Sequence, residues 1–65
     1  MKMSYKEKVI VEQQELLEKI SKLELFLSNG NHSDIELDHK ALLVKQLIVM
    51  KEYNRILTER LLLFK

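Results

Sequence analysis

The stretch Asn29-Gly30-Asn31-His32-Ser33-Asp34 decides how this chain folds. It is the only run of turn-forming residues in the sequence, and it holds the sole Gly of a chain without Pro. Upstream of it, Val9, Gln13, Leu16, Ile20, Leu23 and Leu27 recur at spacings of 4, 3, 4, 3 and 4. That is the heptad seam of an amphipathic helix, with one polar member. Ser28-Asn29-Gly30 supplies a C-terminal stop, with Gly30 free to take the positive φ that closes a helix. Downstream, Leu43, Leu47, Met50, Asn54, Leu57, Leu61 and Phe64 repeat the same alternation of 4 and 3. The first helix is expected to start at Ser4 or Tyr5 and end at Ser28, the second to run from Asp38 to Phe64. Asp38 is the preferred N-cap of the second helix, and Ser33 with Glu36 is a rival capping box a turn earlier. Residues 31–37 are expected to be irregular, with Ile35 and Leu37 folded back over the hairpin end. The fold class is therefore all-α, a two-helix hairpin of about 4–28 and 38–64 forming a single domain over residues 1–65.

The second helix has more apolar surface than a hairpin needs. Beside its seam runs another stripe of Leu42, Val49, Tyr53, Ile56 and Leu63, interrupted by Gln46 and Arg60. One partner helix cannot cover two adjacent stripes. A chain this short buries at best about 60% of its unfolded surface. Exposed stripes of this size mark subunit interfaces, so an obligate homo-oligomer of closed symmetry is expected.

Composition narrows the function. Of 65 residues, 46% are hydrophobic and 32% charged, with thirteen Leu and no Cys or Trp. Without Cys there is no disulfide framework, thiolate nucleophile or Cys-based zinc site, and the cytosol is the default compartment. The net charge of +1 argues against duplex nucleic acid as a partner. Charge is uneven, however: residues 38–65 carry six basic and three acidic side chains, against five of each in residues 1–28. No apolar run approaches the length of a membrane span, and none follows Met1-Lys2-Met3 as in a secretion leader, so neither is expected.

Catalytic signatures are missing. His32 and His39 stand seven apart, too far for a metal pair on adjacent helix turns, and no metal or cofactor is expected. Ser4, Ser21, Ser28 and Ser33 lack the strand–turn–helix setting of a hydrolase nucleophile. All-helical chorismate mutases hold an anion between helices, but they need a third helix and an Arg on the first, which here has none. An enzyme is not expected.

Several polar residues stand in odd places. Asn54 breaks the main seam of the second helix, where a lone Asn commonly sets register or oligomer state. Arg60 breaks the second stripe and needs a partner. Either Glu12, Glu52 or Glu59 pairs with it, or it grips phosphate through its planar fork. On the first helix, Lys8, Lys19 and Lys22 suit pairing with Glu12, Glu15 and Glu18. The same helix presents Tyr5 and Phe26, either as edge packing or as stacking surfaces for bases, with the lysines and Ser21 meeting phosphate.

The run from Tyr5 to Phe26 resembles the first helix of a family of very small proteins of tailed phages. Glu18-Lys19-Ile20-Ser21-Lys22-Leu23-Glu24-Leu25-Phe26 fits its pattern E-K-I-[ST]-K-L-x-x-F. Leu42-Leu43, Gln46, Met50, Tyr53, Leu57, Arg60 and Leu61 fit the continuation LL-x-x-Q-x-x-x-M-x-x-Y-x-x-x-L-x-x-R-[IL]. The family, found in crAss-like and other phages, includes anti-CBASS sponges, which sequester the cyclic oligonucleotide messengers of bacterial antiviral cyclases without cleaving them. The resemblance implies a homohexamer acting in the cytoplasm of the infected host. It implies that Tyr5 stacks on a base of a cyclic dinucleotide and that Lys19 and Ser21 contact its phosphodiester, with Lys22 and Phe26 beside them. Arg60 matches the residue that serves a separate cyclic-trinucleotide site, and Asn54 is its candidate neighbour on geometry. The alternative is a non-enzymatic helical oligomer that uses its exposed stripe to bind a host protein.

Overall fold

The computed structural model describes residues 3–29 and 35–64, which form two helices, α1 (Tyr5–Ser28) and α2 (Leu37–Leu62). They fold against each other as an antiparallel hairpin. Tyr5 near the start of the chain meets Arg60 and Phe64 near its end, and Gln13 meets Asn54 further in.

Ser4 starts α1. Its backbone is extended, its Oγ accepts from the Glu7 backbone N–H at 3.2 Å, and the Glu7 carboxylate accepts from the Ser4 N–H at 3.3 Å. This capping box satisfies two donors that a helix start otherwise leaves open. The helix ends at Ser28 as the sequence predicts, with Asn29 still right-handed and its N–H donating to the Phe26 carbonyl. The expectations for Gly30, His32 and Ser33 lie outside the described residues.

Helix α2 starts earlier than Asp38. Glu36 is its N-cap, extended at φ −65° and ψ 151°, and its carbonyl accepts from the Lys40 N–H at 3.0 Å. Glu36 is thus the cap itself and not the third residue of an earlier helix, and the Ser33 side of the rival box lies outside the described residues. Asp38 falls within the first turn, where its charge suits the positive end of the helix dipole. Leu37 is 81% exposed and does not fold back over the hairpin end, whereas Ile35 is half-buried. The reason is angular. Leu37 lies six residues before Leu43, which rotates it about a third of a turn off the seam. At the other end the helix closes at Leu62, and the N–H groups of Leu63 and Phe64 turn back onto Arg60 and Leu61.

Every position of both seams within α1 and α2, and Phe64 just beyond, is buried or half-buried. Val9, Leu16, Ile20 and Leu57 form the core, with Leu47, Met50, Leu61 and Phe64 packed on it. Leu57 is fully buried and Val9 is 1% exposed. The second stripe of α2 is open to solvent: Leu42, Val49, Tyr53, Ile56 and Leu63 are all exposed, Val49 by 66%. The molecule is a rod of 47 × 23 × 15 Å with a radius of gyration of 15.1 Å. A compact chain of this length has a radius near ~11 Å. Two helices side by side have one buried seam each, and among the described residues nothing covers their outer faces. Among the described residues no helix is long and apolar enough to cross a membrane.

Candidate functional site

The open end of the hairpin gathers an aromatic pair and a cation. The Ser4 cap places Tyr5 as the first residue of α1, and the last turn of α2 carries Arg60. Arg60 Nη2 donates to the Tyr5 hydroxyl at 2.5 Å, and its guanidinium carbon lies 5.7 Å from the ring centre. The Phe64 ring is tilted by 47° against Tyr5 with centroids 5.7 Å apart. Tyr5, Arg60, Leu63 and Phe64 line an opening of about 250 Å³. Tyr5 is nonetheless 63% exposed, so much of its ring faces water.

Among the described residues no carboxylate forms an ion pair with Arg60. The acids expected to pair with it are taken by its neighbour: Arg55 bonds both oxygens of Glu52 and reaches Glu59 at 2.8 Å. The hydrogen bond from Arg55 holds the Glu52 carboxyl below its ordinary range, and the same pairing pushes the guanidinium of Arg55 up. Glu12, the third acid expected for Arg60, forms no ion pair among the described residues. A guanidinium bonded to a phenol rather than a carboxylate keeps its full charge for an incoming anion.

The helix-1 residues stand elsewhere. Lys19 is exposed and forms no ion pair among the described residues, while Lys22 bonds Glu18 at 3.3 Å. Lys19, Lys22 and Phe26, spaced 3 and 4, share one face of α1. Ser21 lies more than half a turn round from Lys19, in an open groove with Glu24, Leu25 and Leu47. Glu24 is bonded there by Lys51 at 2.9 Å. From Tyr5 to Lys19 is fourteen residues, about 21 Å of helix. One chain therefore does not bring Tyr5, Lys19 and Ser21 onto one small ligand.

Asn54 is occupied inside the hairpin. Gln13 Nε2 donates to Asn54 Oδ1 at 3.1 Å and to Thr58 Oγ1 at 2.7 Å, and Thr58 Oγ1 donates to the Asn54 carbonyl at 3.1 Å. Asn54 lies six residues before Arg60, a third of a turn round and about 9 Å along the axis, and is not gathered with it. Sequence reasoning missed the roles of Gln13, Thr58 and Phe64. A signal existed for the first: pairing Val9 with Leu57 in antiparallel helices sets the two polar seam members, Gln13 and Asn54, opposite each other.

Residues 3–63 match the Sequestin family model. The chain belongs to the Sequestin family. The match spans both helices and takes in Tyr5, Lys19, Ser21, Lys22, Phe26, Asn54 and Arg60. The Sequestin name denotes sequestration and fits the resemblance to phage anti-CBASS sponges carried by the two helix motifs. No curated protein and no solved structure significantly matches this Sequestin.

Proposed function

We propose that this Sequestin is a non-enzymatic sponge of the infected bacterial cytoplasm that captures cyclic oligonucleotide messengers intact and so blocks CBASS-type immunity. The observation that carries the reading is the Tyr5–Arg60 cluster, an exposed aromatic ring beside a guanidinium that has no acidic partner among the described residues. A ring offers a stacking surface to any base, and a guanidinium fork matches a phosphodiester. The family name supports the same reading.

Capture of a cyclic dinucleotide requires more than one chain. With Tyr5 and Lys19 about 21 Å apart on one helix, an antiparallel copy is needed to set the Lys19 of one chain beside the Tyr5 of another. A two-fold interface then presents one Tyr and one Lys twice, matching a ligand with two phosphates and approximate two-fold symmetry. Ser21, Lys22 and Phe26 extend this site along α1. The exposed stripe of α2 supplies the apolar surface for such an assembly, a homohexamer on the resemblance. Arg60 serves a cyclic trinucleotide at a separate site, without Asn54, which Gln13 holds inside the hairpin.

Native mass spectrometry against a panel of cyclic di- and trinucleotides tests the reading. The expected result is an oligomer carrying intact ligands in whole-number ratio. In the same spectra Lys19→Ala is expected to lose the dinucleotide while keeping its subunit count, and retained binding overturns the Lys19 assignment. An oligomer that ignores the whole panel overturns the sponge and favours a host-protein partner on the exposed stripe.

A further inference from the structure

We infer that the outer row of α2, made of Leu37, Ala41, Val44 and Ile48, is a self-complementary interface. It takes the same row of a second copy, antiparallel, about a two-fold axis between Ala41 and Val44. The inference concerns assembly alone and does not rest on any ligand.

The four residues are spaced 4, 3 and 4, a heptad row of their own. The row lies about a third of a turn from the seam, and as far again from the stripe that holds Val49 and Ile56. All four side chains are exposed, Ile48 by 63%. A helix that is apolar on every side has neighbours on every side. Within the hairpin, α1 covers only the seam.

Charge and register select a second copy as the occupant. Turned end for end, Leu37 meets Ile48 of the copy and Ala41 meets Val44, with the small side chains at the axis and the large ones outside. Asp38 and Lys45 each follow a row member, so they flank the row on one side, and reversal brings that flank against itself. Both are exposed, and neither forms an ion pair among the described residues. Seven residues, about 10 Å of helix, keep them apart within one chain. Across the axis each Asp38 comes beside Lys45 of the copy, which makes two bridges. The overlap also ends where the helix does. Ile48 faces Leu37, the first residue of α2, and the row continues as Glu52, Arg55 and Glu59, which bond one another. Four layers are fewer than a stable dimer needs, so the row joins units that the other stripe already holds. One isologous face closes a pair and stops; a larger closed assembly takes a second face, and α2 carries both.

The chain has no Cys, so introduced thiols report this contact alone. Leu37→Cys combined with Ile48→Cys, in the full chain under mild oxidation, is expected to give a covalent dimer on non-reducing electrophoresis. Each single variant is expected to stay uncrosslinked, because the axis holds like positions about 16 Å apart, beyond the ~7 Å that a disulfide spans. No covalent dimer from the double variant, or equal crosslinking of a single one, overturns the interface. Sedimentation of charge variants tests the two bridges. Asp38→Lys is expected to shift the assembly toward smaller species, and adding Lys45→Asp to restore the wild-type size. That recovery is not the result of a damaged fold. Unchanged size in the single variant, or no recovery in the double, overturns the antiparallel register. Either failure leaves the sponge standing, since ligand capture is read separately.

Discussion

Gln13 and Asn54 hold positions on the two seams where most neighbours are apolar, and each is the other's partner. Gln13 donates to three acceptors on α2, in a part-buried setting where an unmet amide costs about 1–3 kcal/mol. Leu at both sites would bury more apolar surface, so the pair trades stability for a defined alignment of the helices. Asn54→Ala is expected to lower stability by about 1 kcal/mol. The double change Gln13→Leu with Asn54→Leu is expected to raise the melting temperature. It is also expected to lower amide-exchange protection along α2, because the helices can then slide. Thermal unfolding with hydrogen exchange on the same samples checks both. Arg60 makes the complementary point. Of the three acids considered for it, Arg55 holds Glu52 and Glu59, and Arg60 turns to a phenol fifty-five residues away.

The two helices start differently, and the difference bears on the site. Helix α1 begins in a reciprocal Ser4–Glu7 capping box, whereas Glu36 at the start of α2 makes no side-chain cap bond. The S-x-x-E signature of the first was legible in Ser4-Tyr5-Lys6-Glu7, though periodicity alone placed the start to within a residue. Tyr5 is the first residue after that cap, so the cap sets the ring. Ser4→Ala is expected to cost about 0.5–2 kcal/mol in helix stability. It is also expected to weaken dinucleotide capture by fraying the turn that carries Tyr5. Circular dichroism melting and ligand titration on this variant read the two effects separately. A loss of stability without loss of affinity disconnects the cap from the site.

As a whole molecule the hairpin is a rod whose buried residues line one seam, and the apolar stripe of α2 has no partner among the described residues. Assembly is expected to cover that stripe. The melting temperature is then expected to rise with protein concentration, since only the folded assembly binds further copies. Val49→Glu sets a charge at an exposed position of the stripe, away from Tyr5, Lys19 and Arg60. It is expected to shift sedimentation toward smaller species while α-helical content within the hairpin persists. A variant that sediments like the wild type removes this stripe from the interface.

Residue order by itself determined the two helices, the break between them and the membership of both seams. Each follows from local spacing, with the 4 and 3 alternation running from Val9 to Leu27 and from Leu43 to Phe64. It determined equally that Leu42, Val49 and Ile56 stay exposed, because one helix cannot cover two stripes. The start of α2 at Leu37, the partner of Arg60 and the meeting of Tyr5 with Phe64 were decided only by the tertiary structure. A heptad pattern looks the same when one helix slides past the other by seven residues, about 10 Å. Spacing therefore leaves open which side chains face each other across the hairpin. Long-range contacts choose among those alignments, Gln13 on Asn54 foremost, and that choice brings the aromatic ring and the guanidinium together at one end.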